Sequence, residues 1–306
     1  MQDEIAAAIA RALEVKLVGT PGARRVHQPN LEAYEAFLRA RHEILKATPE
    51  SAAHARQLFE QAIALDPAYS EPHAELGYYY LLQGVLGLSG ARETMPTARG
   101  HAQKALELSP ADARAHGLLC LVAGLYDYNW KKAGEHYRLA MAAEHVPSEV
   151  RVRCALNYLF SMGRMHEATE QIERALEQDP LSVWARGLFA LVLSLGGAYE
   201  RALAEAQKAM EMDPSHWIPN CAISLSYALR GEFVAARPAA ERSATAAPWW
   251  AMALGLQAGI LAQLGEKEHA DELVTKLRDM PRVGLFLYHR LCSGTDMGRR
   301  LVGKDD

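Results

Sequence analysis

Between Val150 and Pro248 the chain repeats itself with a step of 34 residues. Pro180, Pro214 and Pro248 keep that step, as do Gly163, Gly197, Gly231 and Gly265, and Ala168, Ala202, Ala236 and Ala270. A constant step with small residues and a closing proline at fixed offsets makes every unit the same supersecondary element. Such a unit cannot bury its apolar face alone and must stack on its neighbours. The repeat therefore predicts a linear array rather than a chain wrapped around one large core.

The residues inside one step show that the element is a pair of helices. In residues 182–214, Leu188, Leu191, Val192 and Leu195 recur at three- and four-residue spacing, the pattern of a helix with one buried face. Gly196 and Gly197 end that helix. Ala202, Ala206 and Ala209 continue the spacing on a second helix, whose short side chains allow close approach to the first. Asp213 and Pro214 stop it, because proline has no amide to donate and forces the residue before it out of helical geometry.

On these residues the chain resembles the tetratricopeptide repeat family, whose unit carries Leu-Gly and then Tyr on helix A, an aromatic and alanines on helix B, and a final Pro. The best single match is Leu76, Gly77 and Tyr80, preceded by Phe59, Ala62 and Pro67 from the earlier helix B. The resemblance covers roughly residues 30 to 303. Two copies depart from it, with Phe189-Ala190 and Ile223-Ser224 where Leu-Gly is usual, so those pairs are expected at slightly altered spacing. The resemblance implies an all-α fold, an α-α superhelix of about seven helix pairs with terminal capping helices. It also implies a scaffold that binds a protein or peptide: a peptide, a helix or a neighbouring domain held in the concave groove.

Three segments follow. Residues 1–29 form an amino-terminal helix and linker, residues 30–282 the array of seven repeats, and residues 283–306 a carboxy-terminal cap or a truncated eighth repeat. Ile5, Ala8, Ile9, Ala12 and Leu13 make one apolar stripe, followed by linker residues from Thr20 to Asn30. This segment resembles the end of a TolB-like domain that precedes such arrays in large bacterial signalling proteins. That implies a fragment whose parent carries an effector such as a DNA-binding domain, a nucleotide cyclase or a kinase. Between Pro67 and Pro110 the step lengthens to 43, and the nine extra residues fall in LLQGVLGLSGARETMP, where glycines and Pro96 are expected to break helical continuation.

Composition removes several classes of function. Half of the residues are hydrophobic and the net charge is −4, without the basic excess that attracts phosphate backbones, so no nucleic acid is expected as a partner. No apolar run is long enough to span a membrane, and a cytoplasmic protein is expected. The four cysteines, Cys120, Cys154, Cys221 and Cys292, contain no C-x-x-C pair and read as reduced thiols inside helices. Phosphate-binding glycine loops and the H-E-x-x-H zinc motif are absent from the sequence. His289 and Cys292 stand at helical spacing, but a metal needs three or four ligands, so a packing contact is the reading there. No cofactor, no metal and no catalysis are expected.

Function then falls to the concave surface. The family resemblance assigns positions two, five, nine and twelve of each helix A to the groove. Those positions are Arg153, Asn157 and Phe160 in repeat four, Trp184, Gly187, Leu191 and Ser194 in repeat five, Ile218, Cys221 and Leu225 in repeat six, and Met252, Gly255 and Gly259 in repeat seven. Trp249 and Trp250 precede the last group. The groove reads as an apolar strip with aromatic anchors, pockets left by glycines, and one charge at Arg153. Tryptophan and arginine are the residue types most frequent at binding hot spots. Two adjacent indoles cannot both point inward from one helix, which argues against Trp249 and Trp250 as a packing pair. Two alternatives stand beside the scaffold. One is an enzyme whose site is assembled from scattered residues such as Arg153, His116 and Tyr80, and the other a homo-oligomer formed through the amino-terminal stripe.

Overall fold

The computed structural model describes residues 27–278 and Met280, and the expectations for the amino-terminal helix, the carboxy-terminal segment and the His289–Cys292 pair lie outside them. Among the described residues there are fourteen α-helices and no strand. They form seven pairs: α1 (Leu31–Leu45) with α2 (Pro49–Leu65), α3 (Ser70–Val85) with α4 (Ala91–Leu108), α5 (Ala113–Leu125) with α6 (Trp130–Met141), and α7 (Ser148–Cys154) with α8 (Met165–Gln178). Then come α9 (Val183–Leu195) with α10 (Tyr199–Met212), α11 (Trp217–Leu229) with α12 (Phe233–Ala246), and α13 (Ala251–Gln263) with α14 (Lys267–Arg278). From α3 onward each first helix packs on its own partner and on the first helix of the next pair, the nearest-neighbour pattern of an array.

The recurring residues have separate physical tasks. Gly163, Gly197, Gly231 and Gly265 all have positive φ, between 70° and 85°. At each of these turns two amides reach back to the end of the preceding helix. Ala198 N–H donates to the Leu193 carbonyl at 2.9 Å and Gly197 N–H to that of Ser194 at 3.1 Å, and the turns at Gly231 and Gly265 repeat this pairing. This Schellman arrangement satisfies orphan carbonyls and needs a left-handed residue, which explains the glycine step. The alanines Ala168, Ala202, Ala236 and Ala270 are wholly buried on the second helices. Before the closing prolines, Asp66, Asp179 and Asp213 have φ between −136° and −146° and ψ between 82° and 97°, outside helical geometry as a residue before proline must be.

Two irregularities have local causes. The second pair carries its extra length mainly in longer helices of 16 and 18 residues, against 13 and 14 in α9 and α10. Contrary to expectation, Pro96 does not break the chain. It is the sixth residue of α4, and the helix continues through it while packing on α3. In the fourth pair α7 runs into a π-helical turn, Ala155–Leu159, with Phe160 N–H on the Ala155 carbonyl at 2.9 Å. A π turn accommodates one inserted residue, and such turns concentrate at functional positions.

Two substitutions test this account. Ala202→Leu should overpack the contact with α9 and lower stability by about 1–3 kcal/mol. Gly231→Ala adds a Cβ that meets nothing within 4 Å, so its cost should come from the left-handed backbone alone, roughly 1 kcal/mol, with Gly231→Asn milder. Urea midpoints at constant m-value measure both.

Candidate functional site

The first helices of the pairs face one another on the inner side of the array, and a charge cluster fills part of that side. Glu75 on α3 is 1% exposed and lies between two arginines. Arg153 on α7 reaches its two oxygens with Nη1 at 3.1 Å and Nη2 at 2.9 Å, and Arg114 Nε on α5 stands at 3.2 Å. The Arg153 guanidinium also sits 3.5 Å from the centre of the Tyr78 ring. Arg41 on α1 pairs with Glu149 on α7. Burial alone would push the Glu149 carboxyl up, but Arg41 and Arg153 outweigh it and bring it down to about 2. Burial likewise opposes the charge on Arg153, and Glu75 with Tyr78 outweighs it and raises the pKa of the guanidinium.

Beside this cluster lies an apolar recess of about 250 Å³. Its walls come from six repeats. The turn Ile44–Pro49 closes one side, Tyr78, Leu82, Val85 and Leu86 of α3 and the turn after it form the floor, and Arg153, Leu156 and Asn157 follow from the fourth pair. Trp184 and Leu188 of α9, then Trp217, Ile218, Trp249 and Trp250, complete it. The Trp217 ring stands 4.3 Å from that of Trp250 and 5.5 Å from that of Trp249, both edge-on. Edge-on indoles place the positive rim of one ring on the negative face of the next. A larger recess of about 610 Å³ lies where the connections between repeats meet; its lining mixes apolar and polar side chains, and its Asp112 is engaged in capping α5 and in a bond from Ser70.

No family model matches the chain. Among curated proteins it is 26% identical over 151 residues to the transcriptional regulator HilA of Salmonella typhimurium, a stretch covering 49% of this chain and 27% of that protein. It is 30% identical over 124 residues to the putative adenylate cyclase 3 of Rhizobium meliloti, covering 40% of this chain and 21% of the relative. The chain thus spans between a fifth and just over a quarter of the length of these relatives. Among solved structures, the human IFIT1 dimer with m7Gppp-AAAA superposes with a TM-score of 0.66 at 16% identity, over 94% of this chain and 67% of that one. A tetratricopeptide repeat protein from Parabacteroides merdae gives 0.55 at 18% identity, over 86% and 99%. The fold is that of a tetratricopeptide repeat array.

Six of the residues expected to line the groove of this tetratricopeptide array, Arg153, Asn157, Trp184, Ile218, Trp249 and Trp250, do border the recess. Leu191 and Leu225 are 4% and 1% exposed and pack between repeats. Phe160 and Met252 are half-buried against the same cores. Four details of the sequence reading change. Arg153 is not a lone charge in an uncharged strip, because Glu75 neutralises it. Asn157 directs its amide to the Arg153 carbonyl at 2.9 Å, beside the π turn. Gly187 and Gly117 leave no pockets, since a Cβ on Gly187 would fall 2.9 Å from Ile218 Cγ2 and one on Gly117 would fall 2.9 Å from Val150 Cγ1. Trp249 and Trp250 both pack on Trp217 because they stand on the connection before α13 rather than on one helix.

Glu75, Glu149 and the lining from the first two repeats went unnoticed in the sequence. An acid inside an otherwise buried helix, as Glu75 is between Ala74 and Leu76, is the signal that could have found the cluster. His116 and Cys120 also stand four apart on α5, but His116 Nδ1 lies 3.2 Å from His136 Nδ1, and Cys120 is buried beside Cys154.

Arg153→Met should cost about 3–5 kcal/mol by leaving Glu75 short of a partner in the interior, whereas Arg153→Met combined with Glu75→Leu should recover much of the loss. Denaturant titration of the single and double variants measures this. Glu149 makes stability pH-dependent. Its folded pKa lies below the unfolded value, so its contribution, on the order of 3 kcal/mol, is complete above about pH 4.5 and lost as pH falls toward 2. Glu149→Gln should flatten that acid limb in thermal melts taken from pH 6 to pH 2.

Proposed function

We propose that the chain is a protein-interaction module that holds an apolar helix or peptide of a partner protein in the recess between Trp184 and the second repeat. The observation that carries this reading is the lining itself. Indoles from three repeats face leucines and a tyrosine from another, and Asn157 and the Arg153 cluster supply a polar edge. Aromatic side chains collected in a concave apolar site supply large contact area with little entropy to lose.

The relatives support the same reading. The shared stretch is a minor part of proteins named as a transcriptional regulator and as a putative adenylate cyclase, as expected of a module joined to different effectors. A neighbouring domain of a longer chain, in a bacterial regulatory protein, is therefore the first partner to test. The scattered-enzyme reading has less support, because its three groups have separate partners. Arg153 holds Glu75, His116 faces His136, and the Tyr80 ring stacks on His101 at 5.6 Å. Among the described residues no helix is long and apolar enough to cross a membrane.

Trp184→Ala should weaken partner binding by about 2 kcal/mol or more and leave helix content unchanged. Capture of partners by the immobilised chain, repeated with this variant and read by quantitative mass spectrometry, tests it. A partner recovered equally by both forms does not use the recess.

A further inference from the structure

One wall of the recess is the turn between α1 and α2, and it arrives from the far end of the chain. Trp217 Nε1–H donates to the Ala47 carbonyl at 2.9 Å, across 170 residues of sequence. The Leu45 carbonyl faces His216, the neighbour of Trp217. The Leu45 acceptor belongs to the last turn of α1, where a helix leaves its carbonyls without intrahelical donors, and Ala47 follows directly after the cap residue Lys46. Ala47 itself packs against the core that contains Trp217 and has φ 54°, a left-handed conformation that residues other than glycine seldom adopt.

The first hairpin is attached differently from the others. The later first helices pack closely on the next first helix, but α1 packs on α2, and the hairpin joins the array through α2 against α3. Across the inner side it is held by the Arg41–Glu149 pair, the indole–carbonyl bond, the Leu45–His216 contact and the Arg114 guanidinium, 5.7 Å from the centre of the Phe37 ring. No helix of the first pair lies closely along α11 or α13, so the contact with the tryptophans is made by a turn. The turn is also built locally. Thr48 and Ser51 form a capping box at the start of α2, and Lys46 pairs with Glu43.

We infer that the α1–α2 hairpin is a self-docking latch, hinged at α2 on α3, whose turn covers the Trp217–Trp249–Trp250 site, and that its release opens that site to a partner helix end of the same chemistry. That chemistry is a helix carboxy-terminus with unpaired carbonyls, followed by a small apolar residue. The inference rests on the reading of the recess as a partner site and adds an internal competitor for it.

Ala47→Asp in the full chain separates latch from core. Aspartate tolerates the left-handed conformation, so the turn survives, but its carboxylate would face the indole cluster. Helix content by circular dichroism should stay at the wild-type level, while the maximum dimension in small-angle X-ray scattering grows and anilinonaphthalene sulfonate fluorescence rises several-fold. Ala47→Gly, which removes the left-handed penalty, should remain as closed as wild type. A labelled peptide of residues 36–52 should bind the Ala47→Asp chain at least tenfold more tightly than wild type, and Trp217→Ala in that background should abolish the gain. Unchanged dimensions and dye binding in Ala47→Asp would overturn the latch, and so would a general loss of helix, which would make the contact part of the folded core. An opened chain that ignores the peptide would overturn the helix-end partner. None of these readouts depends on Trp184, so the latch and the partner reading can fail separately.

Discussion

Helices in this chain approach one another at distances that only alanine and glycine allow. A Cβ on Gly77 would fall 2.5 Å from Leu118 Cδ2, and one on Gly187 would fall 2.9 Å from Ile218 Cγ2, so each of these glycines is where the next repeat seats its first helix. The buried alanines of the second helices do the same within a repeat. Close seating sets the rotation from one repeat to the next. Because the rotation accumulates, it decides how tightly the inner side curves.

Tight curvature explains why the inner side is charged in one half and aromatic in the other. In the first four repeats the inner faces come close enough for side chains to meet across intervening repeats, as Glu75 and Arg153 do. An unpaired charge there would be far costlier than a pair, so acids and arginines meet as a cluster from α1, α3, α5 and α7. Farther along, the indoles of the sixth and seventh pairs face the end of the first hairpin. Indole N–H groups need an acceptor when buried, and the carbonyls at the end of α1 need donors. One contact answers both needs.

The walls of the recess are held in two different ways. Trp184 and Leu188 stand on a helix held on both sides by neighbouring repeats, so their positions are set by the array. Trp217 has an internal neighbour in Ala47, and Trp249 and Trp250 pack on its ring. The polar edge at Asn157 lies on the π turn, where one inserted residue shifts the groove-facing side chains relative to the other repeats.

The step of 34 was enough to establish paired helices, the turn glycines and the buried alanines, because each depends on residues within one or two repeats. Gly231 must be left-handed whatever lies on the far side of the molecule. The helix starts at Val183, Trp217 and Ala251 keep the step of 34 for the same reason. The partners of Arg153 and Trp217 were not. Glu75 and Ala47 are 78 and 170 residues away, and no local pattern encodes them. They meet through the summed rotation of many repeats, a small angle at each interface that sequence spacing does not record. Helix type and repeat boundary were therefore properties of the sequence, while the charge cluster, the recess and its self-covering turn were decided by curvature.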